Sequence, residues 1–121
     1  MKILTNICSD NLIESTQFYV ELLGFEVKYD SDWYVQLCFP QNSEIEYGII
    51  KRDHELIPNY YQQLPNGMYV TFVVSDVDFI YKKAKSLGLP IIQKPTNEFY
   101  GQRRFLTKDP SGCLIDISSP F

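Results

Sequence analysis

The sequence predicts an α+β fold made of two βαβββ modules in tandem, on the strength of two observations. First, one series of signals occurs twice: a strand, Ser-Asp, an amphipathic helix, Leu-Gly and a new strand. The copies read SDNLIESTQFYVELLGFEV from Ser9 and SDVDFIYKKAKSLGLPI from Ser75. Second, three strand-like runs follow each helix. Since each half is too small to bury its own sheet face, we expect a shared core and a functional cleft where the halves meet.

The first module is assigned to residues 1–52. Asn11 can cap a helix over 12–22, where apolar residues recur at helical spacing, and Gly24 can end that helix. The pattern predicts strands at 3–8, 25–30, 33–39 and 44–51.

The second module is assigned to residues 69–121. Asp76 can cap a helix that runs to about 87 and stops at Gly88. The turn signature Asp-Pro-Ser-Gly at 109–112 separates the last two strands. The pattern predicts strands at 69–74, 90–93, 101–107 and 113–118.

Residues 53–68 form a connector that is longer than most loops within a compact domain. It contains two prolines and the turn-forming pair Asn66-Gly67. We expect either a lid or a crossover. Its pair Tyr60-Tyr61 fits a ligand lid and a dimer contact equally well.

The composition excludes several classes of partner. The net charge of -4 and the lack of a basic run argue against nucleic acid and against an anionic membrane. The 15% aromatic content suggests an aromatic cavity or interface, or simply a core rich in aromatic residues. No apolar stretch approaches the roughly 20 residues that span a bilayer, and no signal segment precedes the first strand. We therefore expect a cytoplasmic protein whose three cysteines stay reduced.

Three stretches, DNLIESTQFYVELLGF, TFVVSDVDFIYKKAKSLGLPI and GQRRFLTKDPSGCLIDI, resemble the vicinal-oxygen-chelate superfamily. That group includes glyoxalase I, extradiol dioxygenases, fosfomycin-resistance enzymes and bleomycin-resistance proteins. The aromatic-Gly-x-Arg stretch from Tyr100 to Arg103 is most similar to the bleomycin-resistance-like branch. The resemblance implies two βαβββ modules forming a curled mixed sheet around a cavity, and a homodimer, because relatives often pair their sheets across chains.

The resemblance also implies four positions where metal-dependent members carry His, Glu or Gln. In this sequence they correspond to Leu4, Glu46, Tyr69 and Asp116. Leucine cannot bind a metal, and tyrosine is an uncommon ligand for these divalent ions. The single histidine, His54, falls at the end of a strand or in the connector. We expect no metal and no cofactor.

Strand alternation suggests which side chains line the cavity, if the more apolar face of each strand packs on the helices. The expected ligand-binding residues are Asn6, Tyr34, Gln36, Glu46, Tyr69, Thr71, Arg103, Phe105 and Asp116. Two alternatives stay open. Glu46 and Asp116 can simply pair with Arg103 or Arg104, and Tyr34 and Tyr69 can fill a collapsed interior.

The leading hypothesis is a metal-independent protein that captures a small aromatic or cationic compound in the cavity between the modules. The runner-up is a superfamily enzyme (lyase, isomerase or dioxygenase-like) with an atypical or absent metal site, including a metal-free acid–base enzyme that uses Glu46 or Asp116. A third hypothesis is an interaction or structural protein without a ligand.

Overall fold

The computed structural model describes all 121 residues of the chain. The helices and strands follow the predicted order: β1 Thr5–Ser9, α1 Leu12–Leu23, β2 Glu26–Asp30, β3 Tyr34–Phe39, β4 Asn42–Lys51, β5 Tyr69–Val73, α2 Val77–Ser86, β6 Gln93–Asn97, β7 Gln102–Lys108 and β8 Leu114–Pro120. A short 3₁₀ turn, Asn59–Tyr61, lies in the connector. No helix combines the length and the apolar composition that a membrane crossing requires.

Each module folds into its own four-stranded mixed sheet. The strand orders are β1-β4-β3-β2 and β5-β8-β7-β6. The first strand of each module runs parallel to the last one, and the other pairs are antiparallel. The fold is therefore α+β with two βαβββ modules and open, curled sheets, as the sequence predicts.

The helices begin and end where the sequence signals place them. The side chain of Asn11 accepts a hydrogen bond from the Glu14 amide, and that of Asp76 accepts one from the Phe79 amide. These bonds satisfy amides that have no partner within the first turn of a helix. Gly24 ends α1 in the left-handed conformation, with φ of 80°.

One hydrophobic core joins the two modules. Helix α1 packs on β3 and β4, α2 packs on β6, β7 and β8, and the two helices also contact each other. We call the side of each sheet that carries its helix the helix face, and the opposite side the open face. Side chains on both helix faces meet in a single cluster, which includes Ile49 from the first module and Ile117 from the second.

A buried polar network closes one junction between the modules, which we call the packed seam. The Tyr19 hydroxyl donates to Asp109 Oδ2 at 2.6 Å, and Asp109 Oδ1 accepts the amides of Ser111 and Cys113. Beside them, Ser15 Oγ lies 3.2 Å from Ser111 Oγ. All five residues are buried. The start of α1 is thereby tied to the β7–β8 turn of the other module.

The structure corrects the position of one strand. The apolar residues predicted as strand 90–93 mostly precede β6, which begins at Gln93. The pairing of β6 with β7 is irregular between Gln93 and Thr96. Pro95 lies within this gap. Because proline has no amide proton, a strand that contains it pairs imperfectly and stays at the sheet edge.

Candidate functional site

The open face of the first sheet carries a hydrogen-bonded pair of polar side chains. The Tyr34 hydroxyl donates to Asn6 Oδ1 at 2.9 Å. Gly48 lies beneath them, and a Cβ at this position would collide with both groups. Burial, followed by the charge of Glu46, raises the pKa of Tyr34, so the phenol stays protonated as a donor. Glycine at position 48 therefore lets this pair lie flat on the strand.

The connector folds back over this face. Between them lies a cavity of about 510 Å³, the connector cleft, lined by Asn6, Cys8, Trp33, Tyr34, Ile50, Leu56, Ile57 and Tyr61. Trp33 stacks on His54 with ring centroids 4.1 Å apart and 16° between the planes. The Gln62 side chain donates to the His54 carbonyl at 3.2 Å. These contacts fix the connector as a partial cover, and Tyr61 rather than Tyr60 lines the cleft.

Glu46 lies on the same open face, as the strand pattern predicts, but its charge is already compensated. Lys28 Nζ donates to Glu46 Oε1 at 3.1 Å, and Lys2 and Gln36 donate to the same carboxylate. Hydrogen bonds from the two lysines hold the pKa of Glu46 below its usual value. The sequence-based alternative that Glu46 pairs with Arg103 or Arg104 is wrong, since its partners are lysines.

The open face of the second sheet carries the other acidic residue. The Thr71 hydroxyl donates to Asp116 Oδ2 at 2.8 Å, and Arg104 Nη1 lies 3.8 Å from the same oxygen. Asp116 is only 4% exposed, whereas Tyr69 on the same face is 55% exposed. Asp116 therefore pairs with Arg104, and Tyr69 does not fill a collapsed interior.

The expectation that Arg103 and Phe105 face the cavity is wrong. Phe105 is fully buried on the helix face, with its ring 5.4 Å from that of Tyr81. Arg103 shares this face by strand alternation and donates to both carboxylate oxygens of Asp78 in the first turn of α2. Arg104 takes the open face instead. Burial of an aromatic side chain outweighs the placement of an arginine in setting the face of β7.

The expected lining residues thus fall into two groups. Asn6, Tyr34, Gln36 and Glu46 lie on the first open face, and Tyr69, Thr71 and Asp116 lie on the second. Asn6 and Tyr34 share the connector cleft, and Glu46 and Thr71, one from each group, reach a common cavity at the junction of the modules. Sequence reasoning missed Ile50, although it alternates with Glu46 and Gly48. It also missed Trp33, Leu56 and Ile57, whose positions depend on how the connector folds.

Comparison with known proteins identifies the class to which this architecture belongs. Residues 4–117 match the Glyoxalase/Bleomycin resistance protein/Dioxygenase superfamily, and the chain belongs to that family. No curated protein matches it.

Solved structures share the fold at low sequence identity. A protein described as a conserved domain protein is 23% identical, with full coverage of both chains and a TM-score of 0.80. A virulence protein from Salmonella typhimurium is 20% identical, also with full coverage of both chains and a TM-score of 0.79. A glyoxalase/bleomycin resistance protein/dioxygenase from Alicyclobacillus acidocaldarius is 20% identical over all of this chain and 92% of its own, with a TM-score of 0.73.

The residues at the family's metal positions do not fit a divalent ion. The helix caps Asn11 and Asp76 are 65 residues apart (76 minus 11), so Asn6 corresponds to Thr71 (6 plus 65). Their register partners are Gly48 and Asp116. Gly48, and not Glu46, is therefore the counterpart of Asp116.

The four metal positions then carry Leu4, Gly48, Tyr69 and Asp116, which offer a single carboxylate. A divalent cation needs several oxygen or nitrogen donors. No group of three or more His, Cys, Asp or Glu side chains lies close enough together to hold a metal.

Proposed function

We propose that this protein captures a small, flat aromatic compound in the connector cleft, without a metal and without catalysis. The observation that carries the proposal is the composition of the cleft. Two aromatic residues, Trp33 and Tyr61, surround a floor formed by the Asn6 amide and the Tyr34 phenol. A cleft of about 510 Å³ with mostly apolar walls and a few placed polar groups is typical of a small-molecule site.

Charge narrows the class of ligand. A cationic compound would gain from a free carboxylate, but Glu46 on this open face already binds two lysines. An aromatic compound without a large positive charge therefore fits this open face better than a cation. Stacking on Trp33 and a hydrogen bond to Asn6 would hold it.

A homodimer would complete the enclosure by placing a second sheet over the first open face, so that the ligand lies between modules of two copies. The exposed surface supports this part of the proposal. The chain exposes 7530 Å², whereas a compact monomer of this mass exposes about 6,700 Å². The excess, about 800 Å², equals one partner's share of a standard interface. The outer edges of β1 and β5 are also unpaired.

Action in the cytoplasm stays a prediction, in keeping with three unpaired thiols.

No observation favours the enzyme alternative. A general acid at neutral pH needs a raised pKa, and the pKa of Glu46 is lowered by its lysines. Asp109 has a pKa raised by burial, but its oxygens are occupied by Tyr19 and by backbone amides inside the packed seam.

Quenching of Trp33, the single tryptophan, tests the proposal. We expect saturable quenching by the neutral probe acridine, weaker quenching by the planar cation ethidium, and no change on addition of EDTA. Tyr61→Ala should weaken acridine binding at least tenfold, because its ring lines the cleft. Tyr60→Ala is the matched control, since Tyr60 is 79% exposed and lies outside the cleft. Equal losses in both variants, or binding that requires an added transition metal, would refute the proposal.

A further inference from the structure

The largest cavity lies at a different place from the connector cleft. It occupies about 720 Å³ between the modules on the helix-face side, and eleven of its sixteen lining residues are hydrophobic. The end of α1 supplies Leu23, β5 supplies Val70 and Phe72, the residue after β5 is Val74, and α2 supplies Phe79 and Ile80. We call this cavity the open seam. It shares no lining residue with the connector cleft.

The base of the open seam is a cluster of aromatic rings. The centroid of Phe72 lies 5.9 Å from that of Phe25 and 5.8 Å from that of Tyr47. Phe25 and Tyr47 are almost fully buried, whereas Phe79 at the mouth is 60% exposed. The cavity therefore leads from solvent to the aromatic core. An aromatic guest could add edge-to-face contacts there.

The repeat relates the open seam to the packed seam. Each of the two seams lies between the end of one helix and the start of the other. If the two modules are exchanged, the open seam therefore takes the position of the packed seam. In the packed seam Ser15 and Tyr19 fill the junction. Their counterparts 65 residues later are Ile80 (15 plus 65) and Ala84 (19 plus 65). Ile80 lines the open seam, whereas Ala84 is buried in the shared core and is too short to reach the opposite turn as Tyr19 does.

Charge at the rim argues for a neutral guest. Glu46 is the acidic residue nearest the mouth on the first module, and Lys2 and Lys28 already compensate it. Asp76 accepts the amide of Phe79 at the start of α2, where the helix dipole offsets its charge. Neither carboxylate needs a further cation. A protein segment would need a longer and flatter surface than this recess offers.

We propose that the open seam is a second binding site, specific for a neutral aromatic compound and independent of the connector cleft. The ligand would lie beside Val74 and Ile80, the counterparts of Ser9 and Ser15 at the other junction. Its rings would contact Phe25, Phe72 and Phe79.

The fluorescent probe N-phenyl-1-naphthylamine, which is neutral and brightens in apolar surroundings, tests this site. We expect enhancement that saturates at one probe per chain. Val74→Phe, which fills the cavity, and Ile45→Glu, which places a charge at the mouth, should each weaken binding at least tenfold. Ile45 is 42% exposed, so the second variant tests the site even if Val74→Phe fails to fold. Ile13→Glu, the same change at an exposed position of α1 outside the cavity, is the control.

The result also separates this site from the connector cleft. Tyr61→Ala should leave the enhancement unchanged. The inference is overturned if no enhancement occurs, or if Tyr61→Ala abolishes it while Ile45→Glu does not. It is equally overturned if the probe binds only when dilution separates the chains, because a second copy would then occupy the open seam.

Discussion

The packed seam and the open seam are built from the same repeated elements, yet one is a buried polar network and the other a cavity. At the packed seam a tyrosine from α1 reaches an aspartate in the β7–β8 turn. In the second module α2 carries Ala84 at the position of that tyrosine, and the β3–β4 turn, which corresponds to the β7–β8 turn, has Pro40 and Gln41 but no acidic residue. The difference shows that a tandem repeat determines the backbone arrangement of two junctions, while a few side chains determine which junction is packed and which is a cavity.

The largest expected effect comes from removing the centre of the packed seam. Asp109→Ala would leave the amides of Ser111 and Cys113 without an acceptor, and the Tyr19 hydroxyl with the Tyr47 hydroxyl, 3.0 Å away, as its remaining partner. Since each unpaired buried donor costs about 1–3 kcal/mol, we expect the free energy of unfolding to fall by about 3 kcal/mol or more in urea titrations. Tyr19→Phe is the comparison, with a loss of about 1–2 kcal/mol. A loss below about 1 kcal/mol for Asp109→Ala would show that the seam does not hold the modules together.

Added volume should have opposite effects at the two seams. Ser9 and Val74 are counterparts (9 plus 65 is 74), and Ser9 is 1% exposed. Ser9→Thr places a methyl group in a filled junction and should destabilise by about 1 kcal/mol. Val74→Leu extends into the cavity and should stabilise by about 0.8 kcal/mol, the value of one buried methylene. The two changes are compared in the same urea series, and destabilisation by both would mean that the open seam has no room.

The smallest effect is a difference in how stability depends on pH. The pKa of Glu46 is lowered in the folded protein, so its contribution exists above its unfolded pKa and is lost as the pH falls through the folded value. The pKa of Asp109 is raised by burial, so its ionised form opposes folding and protonation relieves this on acidification. Between about pH 6 and 3.5, Glu46→Gln should therefore lose less Tm than the wild type.

Asp109→Asn is the second variant in that experiment, and we expect it to change the pH dependence of Tm in the opposite direction. Its amide oxygen can still accept the two turn amides, so the seam is retained while the titrating group is removed. This variant should lose more Tm on acidification than the wild type. Identical slopes for the two variants would contradict the assignment of opposite pKa shifts to the two seams.

Local signals predicted the frame of the molecule well. Asn11, Gly24 and Asp76 act at the helix ends where the sequence places them, because capping depends only on neighbouring residues. Alternation also placed Glu46 on the face opposite to that of Tyr47 and Ile49. Periodicity gives two faces but does not by itself say which one is buried. On β7 the decisive residue was Phe105, whose apolar ring required the helix face.

The parts of the site that the sequence did not reveal depend on long-range contacts. The connector cleft exists because His54 stacks on Trp33, which comes 21 residues earlier (54 minus 33). The lysines that compensate Glu46 come from outside its own strand, 44 and 18 residues away in sequence. Neither arrangement produces a periodic pattern in the sequence. The counterpart of Asp116 was assigned to Glu46 because the register of β4 against β1 becomes visible only in three dimensions.

The third cysteine can report how often the junction between the two modules opens. Cys113 is 1% exposed beside Asp109, and burial raises the pKa of its thiol to about 12, whereas Cys8 and Cys38 are half-buried on the open face. A thiol reagent such as DTNB will therefore react last with Cys113, and only when the halves of the chain part. The rate at which Cys113 reacts, measured on native protein without a label or a denaturant, gives the rate at which the junction opens.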